Sequence, residues 1–350
     1  MHYSYLQDTN LMWLEALRKH SWRTMEPEDA EVFVLLFDVD ESKMAGMCRG
    51  ESHHDRTENA VQTVISSPWY QRNNGRDHFW PLGHWHILYK EHKYYPQSLR
   101  NVIVNMTVGR YSTWQQSTQD VSYWMGDGKL EVERGRPWWR NKDEWRCTVL
   151  VSVRAREDTY KHDLSYEEWH ARGISVYFRG KEGSCTDSAG AATSRAKVFD
   201  LNVLPNTSIH KNHAATHEEY VREIQDAQFC LVMECDDPQT SRYTDALAAG
   251  CMPLVVDSGF RLSAAPFNRW INFDKIMITV PSNMWNQDPT GAVHYIYTLP
   301  ESRMRPLYNN MIKARKYLLW EHPHSMVATQ GLAEVKVDCL SPGAPSNFPL

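Results

Sequence analysis

Asp236, Ser241, Arg242 and Asp245 follow one apolar run, Phe229–Met233, and gather at the start of a short helical stretch, Ser241–Ala249. A guanidinium beside the free N–H groups of a helix start suits a phosphate, and a carboxylate one turn further on suits a sugar hydroxyl. Arg242 and Asp245 share a helix face, so an exposed ion pair between them is an equally good structural reading. A second stretch has related chemistry. Ile174–Phe178 runs into Arg179-Gly180, then a loop of small residues, Gly183–Ser194, then a helix over Arg195–Leu201. Strand, Arg-Gly, small-residue loop and helix make a phosphate-approach geometry, although this is neither a Walker nor a GxGxxG loop.

Two further groups carry titratable side chains. Gly75-Arg76-Asp77-His78-Phe79, with His84-Trp85-His86 a few residues on, offers candidates for a general base. In the structural reading Asp77 pairs with Arg76 or caps an element and the histidines are partly buried donors, which is the better reading of these residues alone. Asp38-Val39-Asp40 is a D-x-D pattern able to hold a divalent metal, but an ordinary polar loop after a strand explains it more simply.

The elements that position these residues are legible in part. Phe229–Met233 and Cys251–Val256 read as buried parallel strands joined by the helix Ser241–Ala249, which Thr240 or Ser241 caps and Gly250 ends. Such βαβ units cross over right-handed and bind ligands outside the carboxyl ends of their strands. Other predicted strands are Val32–Phe37, Asn101–Met106, Cys147–Val153, Ile174–Phe178 and Lys275–Val280. Predicted helices are Leu11–His20, Ala60–Tyr70, His217–Ala227 and a long final one, Pro300–Trp320, whose first turn accommodates Pro306. The Gly/Trp-rich stretch Tyr123–Trp145 reads as a long connection and the charged stretch Arg154–Arg172 as a domain junction.

Composition narrows the class. The 350 residues are 42% hydrophobic and 12% aromatic, enough for two globular domains. A net charge of −5 argues against a general nucleic-acid surface, so any anion site is local. The seven cysteines show no zinc spacing; Cys230 and Cys251 read as small core residues, and the odd count leaves at least one outside any intramolecular disulfide set. No run is long enough for a membrane helix, the N-terminus lacks a signal peptide's apolar core, and the chain as written reads as soluble. Asn105-Met106-Thr107 and Asn206-Thr207-Ser208 are glycosylation sequons, a number that chance supplies in a chain of this size.

Taken together, the motifs resemble the exostosin-type glycosyltransferase family, the inverting group that includes heparan sulfate polymerases and plant cell-wall xyloglucan, pectin and xylan transferases. The residues that carry the resemblance are Phe229-Cys230-Leu231, Asp237-Pro238, Ser241-Arg242, Asp245-Ala246 and Gly250-Cys251-Met252-Pro253. Tyr177-Phe178-Arg179-Gly180, Arg195, Gly75-Arg76-Asp77-His78-Phe79 and the Glu26–Phe33 lead into a strand fit as well. The chain departs from the pattern at Met233-Glu234-Cys235, where the family usually has Pro-x-Gly, and at His84-Trp85, where it commonly has His-Asp.

The resemblance implies an α/β, glycosyltransferase B-type fold: two Rossmann-like α/β/α domains facing across a cleft. It implies an acceptor-side domain over 1–160, a nucleotide-sugar domain over 161–300, a helix packing back over 301–335 and a loose tail over 336–350. A UDP-sugar would donate to a glycan hydroxyl with inversion, and no cofactor or metal is expected because arginines and a helix start neutralise the diphosphate. Arg179, Gly180, Arg195, Ser241 and Arg242 would hold the phosphates, Asp245 the ribose or donor sugar, and Asp77, His78 or His84 would be the base. The implied partners are a nucleotide sugar, a glycan acceptor and a second copy or a related transferase, with no nucleic acid; the implied compartment is the Golgi or secretory lumen. Two rival readings stand beside this one: a protein that binds nucleotide or glycan without turnover, and a metal-dependent transferase using Asp38-Val39-Asp40.

Overall fold

The computed structural model describes residues 8–81, 106–110, 147–156, 158–180, 189–211, 216–233, 241–257, 265–267 and 270–340. They form two units, with the chain changing from one to the other between Val153 and Arg154 and again between Met326 and Val327.

In the first unit the chain runs α1 (Asp8–Arg18), β1 (Phe33–Val34), α2 (Val39–Met44), α3 (His53–Ser66), α4 (Pro68–Asn73), β2 (His78–Pro81), β3 (Thr107–Arg110) and β4 (Cys147–Leu150). The four strands pair in parallel in the order β1-β2-β3-β4. Ser52 opens α3 with a reciprocal cap: its Oγ accepts from the Asp55 N–H while Asp55 accepts from the Ser52 N–H. The single helix expected over Ala60–Tyr70 is two, because Pro68 cannot continue α3 and instead starts α4 under a Ser67 cap. Val39, Val61, Tyr70, Trp80 and Met106 form the core, with Trp13 edge-on to Phe79 at 5.5 Å. The helix Val327–Glu334 packs here; a Cβ at its Gly331 would stand 2.5 Å from the Trp13 ring. A disulfide joins Cys147 to Cys339.

The second unit contains α5 (Tyr166–His170), β5 (Ile174–Arg179), α6 (Ala189–Lys197), β6 (Thr207–His210), α7 (His217–Gln225), β7 (Ala227–Met233), α8 (Ser241–Ala249), β8 (Met252–Asp257), β9 (Ile278–Pro281), α9 (Ser282–Gln287), α10 (Pro289–Tyr297) and α11 (Glu301–Leu318). Its parallel strands are ordered β6-β5-β7-β8-β9. Strand order in this doubly wound sheet reverses between β5 and β7, and the crevice outside the carboxyl ends of those two strands is where such sheets bind ligands.

α8 is buried along its whole length apart from the half-buried Arg242. Its end is a Schellman turn: Gly250 has φ 64°, the Gly250 N–H bonds the Leu247 carbonyl, and the Cys251 N–H bonds the Ala246 carbonyl at 2.9 Å. Two buried guanidiniums complete it, Arg315 donating to the Ala248 carbonyl and Arg172 to that of Ala249.

Cys230 and Cys251 are buried in the core as expected, and there they form a disulfide from β7 to the residue that precedes β8. Two expectations are corrected. The helix expected over Arg195–Leu201 starts earlier, at Ala189, and tightens into a 3-10 turn over Val198–Val203. Pro306 lies in the second turn of α11, where it removes the N–H that would bond the Ser302 carbonyl. The strand expected over Asn101–Met106 lies outside the described residues apart from Met106, which precedes β3.

Candidate functional site

The strand-order reversal in the second unit gathers the sequence's candidate arginines. Arg179 ends β5 and Met233 ends β7. Arg195, buried on α6, points its Nη2 at the Met233 carbonyl, 3.5 Å away. Arg242, in the first turn of α8, donates its Nε to the Arg179 carbonyl at 3.2 Å, and its guanidinium lies 5.5 Å from the Phe178 ring centre. Gly180 makes this approach possible: a Cβ there would stand 2.9 Å from Arg242 Nη2 and 2.9 Å from the Phe178 ring. The guanidiniums of Arg195 and Arg242, the Arg179 backbone, a glycine and the amino end of a nine-residue helix therefore lie at the carboxyl ends of two adjacent strands. That arrangement can neutralise a diphosphate.

The contacts made by the carboxylates around it were not foreseen. Arg179 Nη2 donates to Glu223 of α7 at 2.6 Å, and the other Glu223 oxygen lies 3.4 Å from His210, the register partner of Arg179 on β6. Burial works against the charge on Arg179, but the Glu223 hydrogen bond and charge together with Tyr177 outweigh it and raise the guanidinium's pKa. Ser241 is buried at the α8 start, and its carbonyl accepts from Thr244 Oγ1. Asp245 is held inside the fold. It is completely buried, accepts from the Tyr220 hydroxyl at 2.6 Å and the Arg156 N–H at 2.7 Å, and lies 3.3 Å from Arg156 Nε. Burial pushes its carboxyl upward against the pull of Arg156 and Tyr220. A tyrosine and a glutamate three apart on α7, Tyr220 and Glu223, were the one sequence signal for these contacts.

In the first unit Asp77 and His78 stand at the amino end of β2. Asp77 accepts from His78 Nδ1 at 2.9 Å, from Arg72 at 3.1 Å and from Asn73 at 2.5 Å, so Arg72 takes the pairing expected of Arg76. Burial raises the Asp77 pKa, but those three bonds outweigh it and leave the carboxyl below its ordinary range; burial lowers that of His78, against the Asp77 bond. The imidazole is stacked on Phe33 at 5.0 Å. Asp38 caps α2 by accepting from the Glu41 N–H at 2.9 Å. Among the described residues, no three His, Cys, Asp or Glu side chains are placed together to hold a metal. His84, His86, Asp236 and the loop 181–188 lie outside the described residues.

A family profile, the exostosin GT47 domain, matches residues 2–291. The chain belongs to the exostosin GT47 family. A probable arabinosyltransferase of Arabidopsis thaliana, ARAD1, is 21% identical over 316 residues, which are 87% of this exostosin chain and 61% of that relative. Similar solved structures include the pneumococcal O-GlcNAc transferase GtfA in complex with UDP and GlcNAc, with TM-score 0.40, 8% identity, and 85% of this chain matched to 64% of that one. Another is WaaG, a glycosyltransferase involved in lipopolysaccharide biosynthesis, with TM-score 0.40, 8% identity and 96% of both chains. Each of the two units of this exostosin chain is built on a parallel sheet, of four strands in the first and five in the second.

Proposed function

We propose that this chain is an inverting glycosyltransferase that carries a sugar from a UDP-sugar to a glycan hydroxyl without a metal. The observation that carries the proposal is the convergence of Arg179, Arg195, Arg242 and the α8 amino end on the strand-order reversal of the second unit. Fixed guanidiniums and helix N–H groups stabilise a departing diphosphate, the task a metal performs elsewhere. Phosphate contacts fall to Arg195, Arg242 and the α8 start. Arg179, clamped by Glu223, holds Arg242 through its carbonyl and lends its charge to the same end of the sheet. Asp245 positions α8 from within, in place of the donor-sugar contact expected of it.

Inversion needs one in-line displacement, with a base taking the acceptor proton as the sugar gains positive charge. Asp77 and His78 serve as buttresses of the turn into β2, since their polar atoms are committed to one another and to Arg72 and Asn73. The base role is assigned to His84, which the sequence places just past Pro81, the carboxyl end of β2. Two disulfides support a secretory, Golgi-type compartment, where such bonds form and persist. Among the described residues, no helix is long and apolar enough to cross a membrane. Association with a second copy or a related transferase belongs to the same proposal.

Calorimetric titration with UDP, with GDP as control, tests the donor site with and without EDTA. Selective UDP binding that survives EDTA is expected. Silence toward both nucleotides, or binding that EDTA abolishes, overturns it. The relative described as a probable arabinosyltransferase makes a UDP-pentose the first donor to screen. Once turnover is found, an unmoved pH–rate profile in His84→Ala would remove that residue as the base.

A further inference from the structure

We propose that Asn206 is an N-glycosylation site that takes a preassembled oligosaccharide from a lipid-linked diphosphate donor. The modification rests on the lumenal setting argued above and is separate from the transferase chemistry. Asn206-Thr207-Ser208 has the acceptor spacing, and the structure supplies what spacing alone cannot. Asn206 is exposed, in the turn that leads from the 3-10 segment Val198–Val203 into β6. Its φ is 58°, a left-handed conformation that Asn tolerates better than most residues. The backbone there is held firmly: the Asn206 carbonyl accepts from the Ser175 N–H at 2.7 Å and from Ser175 Oγ at 2.9 Å. A glycan on Asn206 thus starts from a fixed, solvent-facing turn.

Position in the sheet adds a reason for the site. β6 is an edge strand, and Asn206 stands at its amino end, whereas Arg179 and His210 lie at the carboxyl ends of β5 and β6. A glycan here leaves the donor end of the sheet open. It also shields the outer edge of the sheet, the kind of edge that invites strand addition, together with the neighbouring Val203, which is 79% exposed. The disulfides Cys147–Cys339 and Cys230–Cys251 belong to the oxidising compartments in which such transfer occurs. In the transfer, Asn206 Nδ2 forms a bond to C1 of the first sugar, the bond from C1 to the diphosphate oxygen breaks, and the displaced amide proton leaves with the lipid diphosphate.

The test expresses the whole chain behind a cleavable secretion leader in a eukaryotic host, as wild type, Asn206→Gln, Asn105→Gln, Ser208→Ala and Ser208→Thr. Peptide-N-glycosidase digestion reads mobility, and mass spectrometry of the wild-type peptide spanning Asn206 reads the Asn-to-Asp conversion left by the digestion. The expected result is a mobility step that is lost in Asn206→Gln and Ser208→Ala, kept in Ser208→Thr, and matched by conversion at Asn206. Because the peptide readout uses wild-type protein, misfolding of a variant cannot imitate the result. An unconverted Asn206, with either no mobility step or one that only Asn105→Gln removes, overturns the proposal. UDP titration of the same material tests the donor site independently, so the two readings stand or fall apart.

Discussion

At the scale of single residues, Glu321 is the most consequential side chain that the candidate site does not use. Burial pushes its carboxyl up to about 7, while the Ala155 N–H at 3.1 Å and Arg154 at 3.6 Å pull the other way. Its second oxygen is buried without a hydrogen-bond partner. In the unfolded chain the same group titrates near 4.5. Between those values the native state binds more protons than the unfolded one, so stability falls as pH rises through this window. The full effect is on the order of 3 kcal/mol, present as a penalty above about pH 7 and absent below about pH 4.5. Glu321→Gln is therefore expected to gain stability over the wild type at pH 8 and to match it near pH 4. Urea midpoints at the two pH values check this, and a gain that does not change with pH would assign it to packing. Asp245 shows the same physics with tighter partners. Its burial, its two hydrogen bonds and its ion pair with Arg156 make it part of the fold of α8. Helix-face reasoning from the sequence turned it outward because a period of 3.6 cannot show that both sides of a helix are covered.

At the scale of elements, the donor end depends on one close approach between β5 and α8. Arg242 reaches the Arg179 carbonyl only because Gly180 has no side chain. Gly180→Ala should displace the flexible end of Arg242, and Arg242→Ala should remove its charge. Both are expected to weaken UDP binding, the second by about tenfold or more, the usual worth of a hydrogen bond to a charged group. Neither should move the unfolding midpoint far, because Arg242 is only half-buried. Calorimetry and urea unfolding on the same variants read both quantities; unchanged UDP affinity in Arg242→Ala would dismiss Arg242 as a phosphate contact. α8 itself was legible from local chemistry: the structure has it over Ser241–Ala249, the span the sequence predicts, ended by Gly250 in a left-handed turn. β2 was not legible. It is four residues long, ends in proline and is buried throughout, so it offers neither alternation nor length.

At the scale of the whole molecule, the two disulfides among the described residues close loops of very different size. Cys230 and Cys251 are separated by 21 residues, Cys147 and Cys339 by 192. Loop-closure entropy gives about 3 kcal/mol for the first and about 5 kcal/mol for the second. Cys147→Ser is thus expected to lower the unfolding midpoint of the first unit more than Cys230→Ser lowers that of the second. Denaturation monitored by unit-specific fluorescence or hydrogen exchange compares them, and equal losses would contradict the entropic account.

The family and the choice of Arg195 came from the resemblance the sequence carries, and Arg179, Ser241 and Arg242 from short spacings: an apolar run, a glycine after it, a polar residue at a helix start. Strand order, the pairing of Cys230 with Cys251, the Glu223 clamp on Arg179 and the burial of Asp245 were decided only by the tertiary structure. Glu223 stands 44 residues from Arg179 and Asp245 stands 89 from Arg156. Contacts across such separations are chosen by which faces the sheet and its helices bury together, and no local pattern of residue types carries that information.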